Sequence, residues 1–186
     1  MVDLAEQDKE IGLVFSPRTL FTTPGDNYYD PSFLESHGAK DIHKGWSKLK
    51  RIQSGQELLA DLNIFNYSIN KIGEPTTVLI KKEMFDRVGL FNHELCQLVD
   101  LEMWLRIISD CKVGYINKYL SHFRIHQNQQ TNKNATKEGL ILLDHQKFFN
   151  IIYSDPRYPQ SAREIAFYRY LLLSNFKGRC LERIEV

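Results

Sequence analysis

The apolar and polar positions of this chain switch between two periods, and the switches mark its elements. The opening VDLAEQDKE reads as the end of a short helix. IGLVFS (11–16) is a compact apolar run of strand length, the mark of a strand covered on both faces. From 17 to 45 the pattern dissolves into TTPGDN, YYDPSF and ESHGAK, all rich in turn formers, so the segment reads as one long loop. Loops of that length in a compact domain are often functional. SGQELLADLNIF then places Leu58, Leu59, Leu62 and Phe65 at helical spacing, with Ser54 as the N-cap. TTVLI (76–80) is β-branched and predicts a second buried strand. KKEMFDRVGLF predicts a short helix with Met84, Phe85 and Val88 inward and Gly89 ending it.

The densest pattern lies in LVDLEMWLRIISDCKVGYINKYLSHFRIHQ (98–127). Leu101, Trp104, Leu105 and Ile108 fall at i, i+3, i+4 and i+7, a single helical stripe facing a core. Asp100 stands just ahead of them, where an N-cap would. KVGYIN (112–117) predicts a third strand. In YLSHFRIH, strand alternation sends Phe123 and Ile125 to one face and His122, Arg124 and His126 to the other. After about residue 132, NKNATKEG reads as a polar linker. LILLDHQKFFNIIY and SAREIAFYRYLLLSNF read as two helices joined by a turn with Pro156 and Pro159, a helical hairpin packed on the sheet. The fold class is α/β.

Composition narrows the picture. A length of 186 residues suits one domain with a sizeable core rather than two. A net charge of +1 gives no reason to expect a nucleic-acid partner. Cys96, Cys111 and Cys180 make an odd number without CxxC spacing, which fits free thiols in a reducing compartment. The N-terminus is acidic and polar, unlike a signal peptide, and no apolar run approaches the roughly 20 residues of a membrane span. The expectation is a cytoplasmic domain, with peripheral contact at the inner face of the membrane as a secondary reading.

Four features carry candidate chemistry, each beside a plainer reading. Asp100 is either a general base kept ionised by the helix dipole or an N-cap worth roughly 1 kcal/mol. Glu102 diverges from it, as i,i+2 residues do on a helix, and is expected in solvent. His126, with Arg124 beside it, is either a phosphate- or metal-side group or the end of a surface strand. No HxH, HExxH or Cys/His cluster gives this chain a metal site of its own. NKIGEPTT (70–77) is a loop entering a strand, where Gly73 either admits a ligand close to the backbone or simply makes a turn. Nothing supports a Ser/His/Asp hydrolase.

Taken in order, the Gly-Pro loop, the apolar strand, the helix EMFDRVGLFNHEL, then VDLEMWLR, a strand and RIHQNQQT resemble family 2 glycosyltransferases of the GT-A fold. The resemblance runs from about residue 2 to residue 131 and is densest from 70 to 131. It implies a partial GT-A-like mixed sheet with packing helices over 1–131 and a helical C-terminal extension over 132–186. It implies that Gly73, Pro75 and Thr76 line the donor/acceptor site and that Asp100 takes the proton of the acceptor hydroxyl. Arg124 and His126 would lie on the phosphate or metal side, and Trp104 and Arg106 would brace the helix. Val99 stands where the family carries the first acid of its usual pair. The family's nucleotide-binding half, which ends in a D-x-D strand holding Mn²⁺ or Mg²⁺, has no counterpart here.

The chain thus looks like an acceptor-side portion. His126 would meet a metal only together with the absent D-x-D, and no cofactor is expected on this chain alone. A complete, inverting enzyme would pass a sugar from a nucleotide-sugar to a hydroxyl of a glycan or lipid-linked acceptor; this chain by itself is expected to be inactive. The alternatives are a non-catalytic acceptor-binding or assembly module, and an unrelated α/β domain with chance matches. Loss of the parallel half would leave an open sheet edge beside IGLVFS, and open edges pair with other chains, so self-association is expected.

Overall fold

In the computed structural model, which describes residues 1–22, 42–66 and 69–181 (side chains through 175), the apolar run at 11–16 becomes β1 (Ile11–Phe15). Every residue of β1 is buried because both of its faces are covered. α1 (Val2–Ala5) lays Leu4 beside Ile11 and Val14, while Leu13 and Phe15 belong to the main core. A strand covered twice has no reason to alternate.

β1 is a central strand. It pairs in parallel with β5 (Lys112–Tyr115) and antiparallel with β4 (Val78–Ile80), and β5 pairs antiparallel with β3 (Ile52–Ser54). The order is β3-β5-β1-β4, a mixed four-stranded sheet in an α/β fold. The open edge expected beside IGLVFS is therefore not there, since β1 is hydrogen-bonded on both sides. Among the described residues the edges are β3 and β4, each of three residues. β4 is half-buried rather than buried, because an edge strand has a neighbour on one side only.

The segment from 17 to 45 departs from the single loop its composition suggests. β2 (Arg18–Thr22) pairs in parallel with β6 (Ser121–Ile125) as a separate two-stranded ribbon, and Ile42–Gly45 form a 3₁₀ turn. The turn-forming clusters from Thr23 onward lie outside the described residues. The ribbon continues β1 and β5 past a break. Pro17 has no N–H to give to a ladder, so pairing lapses there and resumes one residue on. On β6 the expected alternation holds: His122 and Arg124 are exposed, and Ile125 is buried.

α2 (Gly55–Leu59) is shorter than its apolar spacing suggests. Ser54 sits at its N-cap position but belongs to β3 and makes no side-chain cap, and Leu62 is 70% exposed. Asp61 explains the stop. Its carboxylate accepts the backbone N–H groups of Ser47 (2.7 Å) and Asn63 (2.8 Å), a local turn that competes with another helical residue. α3 (Glu83–Val88) buries Met84 and ends at Gly89, as the sequence suggests.

α4 (Val99–Ile108) is buried on all sides from Leu101 to Ile108. Glu102, expected in solvent, is 2% exposed and ion-paired with Arg106 one turn on, at 2.8 Å. The side of α4 that would have met water lies near buried Tyr158, in the turn of the C-terminal hairpin. Arg106 also donates to the carbonyls of Val88 and Leu90, which ties α4 to the end of α3.

After β6, part of the expected linker is helical: α5 (Gln130–Ala135) buries Asn134. α6 (Leu140–Ser154) and α7 (Gln160–Leu181) form the expected hairpin. Phe148, Phe149, Ile152 and Ala162 join the same core as Leu13 and Trp104. The hairpin meets the α2 side of that core. Phe65 packs edge-on against Phe148 and Phe149, and the Gln56 amide donates to the Arg157 carbonyl at 2.9 Å. Among the described residues no helix is long and apolar enough to cross a membrane.

Candidate functional site

The loop before β4 is built by its own side chains. Asn70 accepts the N–H groups of Ile72 (3.1 Å) and Gly73 (2.8 Å), which turns the chain back on itself. Gly73 has φ 105°, and a Cβ there would sit 2.6 Å from Thr77 Oγ1, so only glycine fits. Pro75 then opens a 3₁₀ turn (Pro75–Thr77), with Pro75 and Thr76 exposed and Thr77 buried. The Thr77 hydroxyl donates back to Glu74 O at 2.7 Å, and Thr77 O accepts Ser16 N–H at 3.1 Å. The loop is thereby fixed to the end of β1.

It is also fixed to α4. The Trp104 indole donates to Gly73 O at 2.9 Å from a position 1% exposed. Asp100 lies four residues earlier, one turn toward the N-terminus and on the same side of the helix. The sequence-predicted loop and base are therefore brought together, with Trp104 as the link.

Asp100 differs from expectation in two respects. It is not the N-cap: α4 begins at Val99, so Asp100 falls inside the first turn, and its Oδ1 accepts the Leu101 N–H at 2.7 Å. The groups just ahead of the helix are served by Asp144 on α6, whose carboxylate accepts the N–H groups of Cys96 (2.6 Å), Gln97 (2.9 Å) and Leu98 (2.8 Å). Nor is Asp100 held low by the helix dipole. Burial pushes its carboxyl up to about 6, and the Glu74 charge adds to that, against backbone N–H bonds that pull it down. Desolvation outweighs the partial charge of the helix end.

The remaining predicted residues lie on β6 and just beyond it. β6 packs against the Pro75–Thr77 turn. The Arg124 side chain is on the exposed face of the ribbon. His126 is half-buried in the turn after β6, where its carbonyl accepts from Gln129 N (3.2 Å) and Asn132 Nδ2 (3.2 Å). The helix that follows the turn, α5, reaches the approach to α4: Gln97 Nε2 donates to Thr131 Oγ1 at 3.0 Å, and Asn134 Nδ2 to Gln97 Oε1 at 3.0 Å. No three His, Cys, Asp or Glu side chains gather among the described residues to hold a metal ion, so His126 forms no metal site with them.

Sequence reasoning missed the charged pair beside Asp100. Arg18, at the start of β2, donates through Nη2 to Glu74 Oε1 at 2.8 Å and sets Nε against Oε2 at 2.5 Å. Its guanidinium lies 5.4 Å from the centre of the Phe123 ring. Glu74 was in plain view between Gly73 and Pro75, but only the fold supplies its partner, 56 positions away. His43, in the 3₁₀ turn behind the pair, sets Nδ1 at 2.5 Å from Lys71 O; burial pushes it down to about 4, so it is neutral at neutral pH and donates that hydrogen bond.

No family model matches the chain, and no solved structure matches it. A stretch of 161 residues, 86% of this chain, is 27% identical to the uncharacterised protein MT1568 of Mycobacterium tuberculosis (strain CDC 1551 / Oshkosh). That stretch is 47% of the relative's length, so the chain spans about half of the curated relative it matches.

Proposed function

We propose that this chain is the acceptor-side portion of a GT-A-like glycosyltransferase with Asp100 as its general base. The observation that carries the reading is the meeting of the Gly73–Thr76 loop with Asp100 across the Trp104–Gly73 hydrogen bond, two motifs about thirty residues apart converging on one helix end. A carboxyl held near 6 is ionised at neutral pH yet basic enough to accept a proton, which is what a general base needs. In the reaction Asp100 takes the proton of an acceptor hydroxyl, and that oxygen bonds to the anomeric carbon of a nucleotide-sugar. The bond from that carbon to the diphosphate breaks, and the diphosphate leaves with the electron pair. The described residues supply the base and the loop; no step is assigned to a metal, since they do not gather a set of ligands for one.

Two measurements test this. Thermal-shift titrations with UDP, GDP, dTDP and CMP, each with and without Mn²⁺, should leave the melting temperature of this chain unchanged. A nucleotide at 100 times its Kd would add about 2.7 kcal/mol, or roughly 5–10 °C. A metal-dependent shift overturns the acceptor-side reading. Amide NMR of the labelled chain with a panel of mono- and disaccharides should show perturbations confined to 73–77, the start of α4 and the end of β6, retained in Asp100→Asn. Perturbations elsewhere, or none with any sugar, overturn the acceptor site.

A further inference from the structure

The two strands of the ribbon and the loop before β4 meet at one part-buried pair, Arg18 with Glu74. We propose that this pair is the positioning unit of the site: Glu74 is a second carboxylate that acts on Asp100 through space, and Arg18 is the clamp that sets how strongly it does so. The proposal rests on the reading of Asp100 as the base.

The geometry restrains both partners. Arg18 Nη2 donates to Glu74 Oε1 at 2.8 Å, and its Nε lies 2.5 Å from Oε2, so charge contact at both carboxylate oxygens restrains the Glu74 side chain. The Arg18 side chain is 6% exposed and that of Glu74 23%, so water screens the pair weakly. On one side Phe123 backs the guanidinium. On the other, Glu74 follows directly on Gly73, whose carbonyl is held by Trp104. Glu74 cannot move away from α4 without breaking the ion pair or dragging the loop off the indole.

Among the described residues, few groups act on Asp100. Its own helix presents the N–H groups of Leu101 and of Asp100 itself; the loop presents Glu74. Arg18 on β2 acts through Glu74, and His43 behind the pair is neutral at neutral pH. A bare carboxylate at the Glu74 position would oppose ionisation of Asp100 more strongly than a clamped one, and a neutral amide there would not oppose it at all. Arg18 and Glu74 together thus hold the base in a state that neither residue alone would give it.

The test follows the Asp100 carboxyl carbon by ¹³C NMR from pH 3 to pH 8 in the 186-residue chain, with the signal assigned by its loss in Asp100→Asn. Glu74→Gln should lower the midpoint by about half a pH unit or more, and Arg18→Met should raise it by a similar amount. Arg18→Met/Glu74→Gln together should fall between the two. A midpoint that stays put in both folded single variants overturns the proposal. So does one that moves in the same direction in both, as general loosening of the site would make it. If Glu74→Gln does not fold, Arg18→Met decides alone: an upward shift supports the pair, and no shift or a downward one overturns it. The readout is independent of transfer. A responsive midpoint with an Asp100 that proves dispensable for transfer would sink the functional reading and leave the pair standing.

Discussion

Replacing Asp144 by alanine tests how the start of α4 is held. Asp144 is 3% exposed and accepts three consecutive backbone N–H groups, those of Cys96, Gln97 and Leu98, immediately before α4. In Asp144→Ala the Leu98 N–H is left in a buried position without an acceptor, at a cost of about 1–3 kcal/mol. Cys96 is exposed and Gln97 half-buried, so their N–H groups turn to water and lose about 1 kcal/mol each. The sum is about 3–5 kcal/mol, which for a chain of this length lowers the melting temperature by roughly 10 °C or more. Asp144→Asn keeps one acceptor oxygen and should lose about half as much. Urea and thermal unfolding by far-UV circular dichroism measure both, with the exposed Asp86→Ala as a control expected within about 0.5 kcal/mol of the parent. Hydrogen exchange at Cys96, Gln97 and Leu98 should accelerate more than exchange in β1. An Asp144→Ala protein within about 1 kcal/mol of the parent would refute the claim that the C-terminal hairpin secures the start of α4.

Two further outcomes follow from buried charge. The folded Asp100 carboxyl sits near 6 against an ordinary 3.8, so between those values the folded protein binds more protons than the unfolded chain and stability falls as pH rises, with the full penalty above about pH 6. Asp100→Asn should therefore stabilise the protein by about 2 kcal/mol at pH 7.5 and by nothing below about pH 4, as read from urea unfolding across that range; a gain that grows toward acid would contradict the assignment. Glu102→Gln leaves the Arg106 guanidinium buried without its ion pair and should cost about 3 kcal/mol in the same assay, whereas a loss under about 1 kcal/mol would mean that this side of α4 is wet after all.

What the sequence made legible was whatever depends on neighbours in the chain. β1, α3, α4, β5, β6 and the two long C-terminal helices all follow from local period and length, and so does the turn at Gly73. What stayed hidden depends on partners far away. β2 could not be read because RTLFT follows Pro17 and pairs with a strand about a hundred residues on. Glu102 looked solvated because its position is off the apolar stripe, and only the C-terminal hairpin removes it from water. α2 looked longer because apolar spacing continues through Phe65, while Asp61 ends the helix with bonds that no hydrophobic pattern records. Of the candidate site, Gly73 and Asp100 were legible as motifs. The Arg18–Glu74 pair was not, because a salt bridge leaves no periodicity.

The ribbon of β2 and β6 carries a mechanical consequence. A two-stranded sheet is marginal in isolation, so its orientation is decided by its attachments. At the root it grows out of β1 and β5, the two innermost strands of the main sheet, past the break at Pro17. Along its flank, Arg18 and the packing of β6 tie it to the Glu74 loop. It is a cantilever rooted in the stiffest part of the molecule and propped near its base. Cutting the prop leaves the root intact, so the tip should sweep through a wider arc while the sheet beneath it keeps its register.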